Sequence, residues 1–202
     1  MMIAVLPLLL SPLPIPVPGT YTNEEEVYFD GEAERPPAPW IGIVVAAGGT
    51  LTFIDRFGRP VAARPYKVAR ANAPDRATMV LAKGRETELR RARTATCWGA
   101  SVKTAKKADG SEDWHGARAL MLHDQGGRVS FGGGDSGAPA ATLRMRNVVW
   151  PSGPSRPSLV LYIHTPDGGE RAAGYSWADK DAKTVGINLR WMQASCTIEE
   201  AT

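Results

Sequence analysis

The sequence predicts an all-β protein, an antiparallel up-and-down barrel as first choice and a β-sandwich as second. Three observations favour this class: apolar and polar residues alternate in short segments, Gly, Pro and Asp residues punctuate these segments, and little room is left for helices. Residues 20–202 are expected to form one barrel domain. Hydrophobic residues make up 43% of the chain, which is enough for a core.

Residues 1–19 are expected to be a signal peptide. An apolar run at 1–10 is too short to span a bilayer, and prolines follow it. A basic n-region is missing, because Glu24 is the first charged residue, and no clear cleavage site stands out. An apolar tail without a targeting function is the alternative. The prediction is a bacterial protein that is periplasmic or secreted, without a transmembrane span.

The first elements are a pair of strands. Residues 40–45 are apolar, a glycine-containing turn follows, and alternation resumes at 50–54. A second turn is expected at 55–60. Residues 77–93 keep two interpretations open: a helix interrupted at Gly84, or two strands around that glycine.

A hairpin is predicted in the middle of the chain. Residues 94–103 alternate in polarity, and Asp109-Gly110 supplies the positive φ that a tight turn requires. Residues 114–123 form the return strand. On the first strand, Trp98 is assigned to the main apolar face.

Three further strands are predicted near the C-terminus. Residues 158–164 form a continuous apolar strand that turns into 171–177. The last strand has the clearest period of two, which a helix could not bury on one side. Its apolar face carries Val185, Ile187, Leu189 and Trp191.

Cys97 and Cys196 are the two cysteines of the chain, and a lone pair in an oxidising compartment usually forms a disulfide. Cys97 lies opposite the face of Trp98, and Cys196 lies opposite that of Val185 and Trp191 if the last strand continues unbulged. The bridge is therefore expected on the polar side or at a rim. Closing a loop of ~100 residues should stabilise the fold by about 4–5 kcal/mol. Without export, two unpaired buried thiols become the better interpretation.

The charge is unevenly distributed. The net charge is +3, but residues 24–34 are acidic and the segment 83–107 is rich in Lys and Arg. Such a basic run favours lipid headgroups, polyanionic glycans or nucleic acid, although a solvated face is the simpler interpretation. Nucleic acid is not expected as a partner.

Tryptophan and arginine residues indicate a ligand site. Six tryptophans are many for this length, and in barrels they fill the lumen or line ligand sites. Arg144 and Arg146 share the face opposite Leu143. If that face lines a lumen, an acidic ligand group or a protein carboxylate must meet them, whereas a solvated outer face is the simpler interpretation. The candidate ligand-binding residues are Trp98, Trp114, Arg144, Arg146, Trp177 and Trp191.

No catalytic residue, metal or cofactor is predicted. Residues 133–139 resemble the nucleophile loop of chymotrypsin-like proteases, but the histidine and aspartate of the triad are missing, so Ser136 is assigned to a glycine-rich loop. The spacing of His115, His123 and His164 does not form a short metal-binding cluster.

One family resemblance covers the layout of the chain. Residues 19–25 have the sequence GTYTNEE, a proline cluster and a strand pair follow, and Cys97-Trp98 precedes a glycine-containing hairpin. This order resembles the T-type phycobiliprotein chromophore lyases, which open with Gly-x-Phe/Tyr-x-Asn-x-x-Gln. Glu25 or Glu26 stands where that glutamine is expected. The resemblance implies a calycin-like barrel, and the lyase activity is not carried over.

The predicted function is that of an exported, non-catalytic binding or envelope-associated β-barrel protein. Its interior or mouth is expected to take a small amphipathic or anionic ligand, and an envelope protein is a further expected partner. Two alternatives stay open: a small lyase or hydrolase of calycin-like fold, and a structural subunit of an envelope assembly. An enzyme should lose activity when Ser136, His123 or His164 is replaced.

Overall fold

The computed structural model describes residues 16–36, 38–81, 84–148 and 157–199. Most of the predicted leader (residues 1–15), Lys83 and Trp150 lie outside them. The described residues form mainly β-strands, and every strand pair is antiparallel, which confirms the all-β prediction. Within these residues, no helix has the length and apolar character needed to cross a membrane.

The first part of the chain contributes six strands and an α-helix: β1 (Gly19–Thr22), α1 (Glu24–Glu32), β2 (Gly42–Val45), β3 (Leu51–Ile54), β4 (Tyr66–Ala73), β5 (Arg76–Leu81) and β6 (Glu86–Arg91). The strands form one sheet in the order β3-β2-β1-β6-β5-β4. Its core includes Tyr21, Ile43 and Leu89. Strands β5 and β6 flank Gly84, where φ is +82°, so the two-strand interpretation is correct and the helix is wrong.

Helix α1 is not anticipated by the sequence pattern, because its nine residues lack an apolar stripe. Tertiary ion pairs hold it instead: Glu25 pairs with Arg90, and Glu26 pairs with Arg85. The first turn is acidic, which suits the positive end of the helix dipole. Thr22 lies just before the N-cap residue Asn23, and its Oγ1 accepts a hydrogen bond from the Glu24 backbone N–H at 3.2 Å.

The second part of the chain contributes eight strands: β7 (Thr94–Val102), β8 (Trp114–His123), β9 (Gln125–Phe131), β10 (Ala141–Val148), β11 (Ser158–His164), β12 (Gly174–Asp179), β13 (Thr184–Leu189) and β14 (Met192–Ile198). We call β13-β14-β7-β8 the disulfide sheet and β12-β11-β10-β9 the arginine sheet. Both sheets contribute to one hydrophobic core, with Leu143 and Leu161 from the arginine sheet and Met192 from the disulfide sheet.

The ladders of a closed barrel are not found among the described strands. None joins β8 to β9 or β12 to β13, although β14 pairs with β7. Apolar side chains fill the space between the two sheets. Both predicted architectures, the barrel and the β-sandwich, stay predictions.

A disulfide joins Cys97 of β7 to Cys196 of β14, which are directly opposite each other, so the predicted pairing is confirmed. The predicted position is wrong, since both cysteines lie in the core and Trp98 points outward. Strand β13 ends at Leu189 and a tight turn starts β14, so Cys196 lies opposite Val185 and shares its face.

Two hydrogen bonds, one from a side chain and one from the backbone, fix the first part of the chain against the arginine sheet. Thr22 Oγ1 donates a hydrogen bond to the Gln125 carbonyl at 3.1 Å, and the Arg128 N–H donates to the Arg56 carbonyl at 2.7 Å. As a result, α1 and the turn at 55–60 lie over the outer face of β9 and β10.

Candidate functional site

A cleft of about 630 Å³ lies between α1 and the outer face of the arginine sheet. Strands β10 and β11 form its floor, and α1 and the turn at 55–60 form its sides. The side chains that matter for its chemistry are those of Tyr28, Arg56, Arg144, Arg146, Tyr162, His164 and Glu170.

Arg144 and Arg146 reach the cleft because β10 alternates. Leu143 and Met145 point into the core, so the two arginines share the opposite face. The simpler prediction, a solvated face, is wrong: helix α1 covers both, and only 5% of Arg146 is exposed. With Arg56 and Arg128 they form what we call the arginine cluster.

Glu24 is the carboxylate that these buried arginines require. Arg56 and Arg144 each donate a hydrogen bond to Glu24, and Arg146 Nε lies 3.0 Å from Glu24 Oε1. Glu24 itself is only 3% exposed. Three guanidinium groups therefore share one buried carboxylate.

A second carboxylate lies at the rim of the cleft. Glu170 Oε2 accepts a hydrogen bond from Arg128 and lies 3.7 Å from Arg144 Nη1. Its side chain is 75% exposed, so water screens its charge strongly. The cluster thus places four guanidinium groups against two carboxylates, of which only Glu24 is buried.

Aromatic rings flank the guanidinium groups. Arg146 lies 3.6 Å from the centroid of the Tyr28 ring, and Arg144 and Arg146 each lie 5.9 Å from that of Tyr162. Arg56 lies 5.0 Å from the Trp40 ring. Such cation–π contacts hold the guanidinium planes without neutralising their charge.

The cluster stays charged near neutral pH. Burial raises the pKa of Glu24, but the charges of Arg144, Arg56 and Arg146 outweigh this effect, and the net pKa lies below its ordinary value. Burial lowers the pKa of Arg146 and of Arg56, and Glu24 opposes the effect in both. A guanidinium group nevertheless remains protonated in proteins.

His164 adds a neutral polar group to the cleft. Burial, and then the charges of Arg128 and Arg144, lower the pKa of His164. The neutral imidazole has one donor and one acceptor nitrogen. It therefore adds hydrogen-bonding capacity without changing the charge of the cleft.

The structure separates the predicted tryptophans. Trp98 lies on the outer face of the disulfide sheet, Trp114 begins β8 in that sheet, and Trp191 lies in the β13–β14 turn against the core. Trp177 is 69% exposed on the arginine sheet. Only Trp177 thus lies on the same sheet face as the predicted Arg144 and Arg146.

Sequence reasoning missed Glu24, Arg56 and Tyr28. A helix-start signal was present, since Thr22 and Asn23 are residue types that cap helices and glutamates follow them. That signal would have placed α1, and with it Tyr28 and Glu24 on one element. No local pattern links Arg56 to this site.

The remaining polar motifs do not form a metal or nucleophile centre in the part of the chain that the structure describes. No group of three or more His, Cys, Asp or Glu residues there is arranged to hold a metal ion. The Ser136 hydroxyl is engaged locally, accepting a hydrogen bond from the Ala138 N–H at 3.2 Å.

No protein-family model matches the chain. Comparisons with curated proteins and with solved structures give no match either.

Proposed function

We propose that this protein is an exported, non-catalytic binding module that takes a small amphipathic anion in the cleft under α1. The observation that carries the proposal is the charge of the arginine cluster, in which one buried carboxylate serves three guanidinium groups. The ligand site lies on the outer face of the arginine sheet rather than in a barrel interior.

An external anion would relieve the excess positive charge. Burying charge without a partner costs several kcal/mol, so a bound carboxylate, sulfate or phosphate group is favoured beside Arg144 and Arg146. Guanidinium forks match the oxygen pairs of such groups. Tyr28 and Tyr162 supply apolar surface next to that position.

We also propose that β7–β14 form a flattened up-and-down barrel, opened at the β8–β9 and β12–β13 corners. The strand order supports it, since all other neighbours in the two sheets are consecutive in the chain and the last strand, β14, pairs with the first, β7. In this architecture the arginine sheet is the wall that carries the ligand.

Export is the third element of the proposal. Disulfides persist in oxidising compartments, and the Cys97–Cys196 bridge fits the periplasm or the exterior. Native protein should have a truncated N-terminus and a mass two protons lighter than the reduced chain. An intact Met1 with two alkylatable thiols would contradict export.

The binding test uses 1-anilinonaphthalene-8-sulfonate (ANS), an aromatic anion, and the uncharged N-phenyl-1-naphthylamine as its matched probe. Fluorescence titration should show tighter binding of ANS. The Arg144→Gln variant should weaken ANS binding about tenfold, the scale of one charge-assisted hydrogen bond. Arg190→Gln is the control variant, because Arg190 is exposed in the β13–β14 turn. Equal affinity for both probes, or no effect of Arg144→Gln, would contradict the proposal.

A further inference from the structure

Two large aromatic side chains lie exposed beside the cleft. Tyr175 and Trp177 alternate along β12 and are 67% and 69% exposed, respectively. Strand β12 ends the arginine sheet, so the pair occupies the sheet edge. Exposed aromatic surface is unfavourable in water, and a pair at one place indicates an interaction surface.

This aromatic pair continues the floor of the cleft. Tyr175 lies opposite Tyr162, and Tyr162 lies opposite Arg144; Trp177 stands in the next row, which holds Arg146. Residues directly opposite each other share a sheet face. The ring centroids of Tyr175 and Tyr162 are 6.1 Å apart. Because two strand spacings separate β12 from β10, about 10 Å lies between the aromatic pair and the arginines.

We infer that the ligand is an acidic oligosaccharide of a few sugar units. Its carboxylate or sulfate groups bind the arginine cluster, and the apolar faces of its rings stack on Tyr175 and Trp177. This inference rests on the proposed anion site and names the ligand class for it. A chain of two or three sugars covers the distance from the cluster to β12.

The rim of the cleft favours a sugar over a nucleic acid. Glu170 is strongly exposed beside Arg144, so the pair offers both an acceptor and a donor to a sugar hydroxyl. A phosphodiester backbone carries acceptors only, so it cannot donate to Glu170 as a sugar hydroxyl can. Nucleic-acid grooves also present exposed basic residues along the backbone path, whereas Arg144 and Arg146 are largely buried.

Calorimetric titration of the full mature chain tests the inference. The acidic probes are trigalacturonate and a heparin-derived tetrasaccharide; maltotriose is the neutral control, and a hexathymidine oligonucleotide represents nucleic acid. At least one acidic probe should bind more tightly than maltotriose and hexathymidine. The double variant Tyr175→Ala/Trp177→Ala should weaken its binding about tenfold, the scale of two aromatic contacts.

Trp98→Ala supplies the matched control, since Trp98 is exposed on the outer face of the other sheet. Trp98→Ala should leave glycan affinity unchanged. A loss of affinity equal to that of Tyr175→Ala/Trp177→Ala would overturn the assignment of Tyr175 and Trp177 as the stacking surface. Tighter binding of hexathymidine would overturn the ligand class. If wild-type protein binds ANS but neither acidic glycan, the inference fails and the anion site stands. If it binds neither ANS nor glycan, the proposed function fails as well.

Discussion

Two charged regions of this protein use arginine differently. In the arginine cluster, Arg56, Arg144 and Arg146 share Glu24. At Asp124, the residue between β8 and β9, one arginine pairs with one buried carboxylate. Arg93 Nε lies 2.7 Å from Asp124 Oδ2, and the Arg93 N–H donates to Asp124 Oδ1 at 2.8 Å.

The Arg93–Asp124 pair is a structural joint. Arg93 Nη2 also donates to the Lys180 carbonyl at 2.7 Å, and the Asp124 carbonyl accepts from the Asn147 N–H. These contacts tie the start of β7 to the corners between the two sheets. Its charges are matched, so the joint needs no external ion.

The difference between the two regions separates a structural role from a binding role. Both join arginine to a buried carboxylate, and their residue types alone do not distinguish them. The ratio of guanidinium groups to carboxylates distinguishes the two regions. A matched pair is complete within the chain, whereas the arginine cluster has capacity for another anion.

The largest expected effect is the loss of the Glu24 carboxylate. Glu24→Gln should lower the free energy of unfolding by about 3–5 kcal/mol, because it leaves buried guanidinium charge without its carboxylate. Asp124→Asn should lower it by about 2–3 kcal/mol, because the Arg93 side chain is 32% exposed and water partly hydrates its charge. Urea unfolding at neutral pH and low salt measures both. A loss below about 1 kcal/mol for Glu24→Gln would mean that the arginines are solvated.

A pH effect of about 3 kcal/mol is expected from His123, which lies between the two regions. Burial lowers the pKa of His123 from 6.5 to about 4, although Asp124 and then Glu24 oppose this and Arg56 adds to it. As the pH falls, His123 therefore takes up a proton in the unfolded chain before it does so in the folded chain. Stability should fall as the pH drops from about 6.5 to about 4, and this contribution should stay constant below that range.

Unfolding measured across this pH range checks the prediction for His123. His123→Gln should remove most of the slope between pH 6.5 and 4. His115→Gln, at the half-buried start of the same strand, is the control. Loss of the stability contributed by Glu24, whose pKa is lowered in the folded state, should begin near its ordinary pKa of 4.5, where the unfolded chain takes up the proton. This loss should remain in both variants. An unchanged slope in His123→Gln would contradict the assignment.

The smallest effect is a difference between two arginines. Arg93→Gln should cost about 2–3 kcal/mol, since Asp124 loses its charged partner. Arg144→Gln should cost less than about 1 kcal/mol, because Arg56 and Arg146 still neutralise Glu24. Thermal or urea unfolding of the two variants side by side measures the difference. Equal losses of free energy of unfolding in the two variants would mean that guanidinium groups and carboxylates are as balanced in the arginine cluster as in the Arg93–Asp124 pair.

Local patterns predicted part of the site and missed the rest. Alternation along β10 placed Arg144 and Arg146 on one face. Their partner Glu24 is 120 residues away in sequence from Arg144, and no local period reports such a contact. The pattern predicted the strands, while the packing of α1 on them depended on tertiary ion pairs.

The inner face of β7 was assigned wrongly for a steric reason. Both faces carry apolar residues, and the pattern predicts that the face shared by Trp98, Ala100 and Val102 lies toward the core. The Phe131 ring of the opposite sheet fills the space beside Gly99, where an added Cβ would lie 2.6 Å from it. The small residues of β7, Cys97 and Gly99, therefore face inward.

Anion-dependent stability tests the central claim most directly. Unfolding of wild type, Glu24→Gln and Asp124→Asn would be measured with and without millimolar pyrophosphate at constant ionic strength. Glu24→Gln, with its three guanidinium groups unmatched, should gain at least about 1 kcal/mol more than Asp124→Asn from the anion. Equal gains in the two variants would contradict the claim that unmatched arginines make the cleft an anion site.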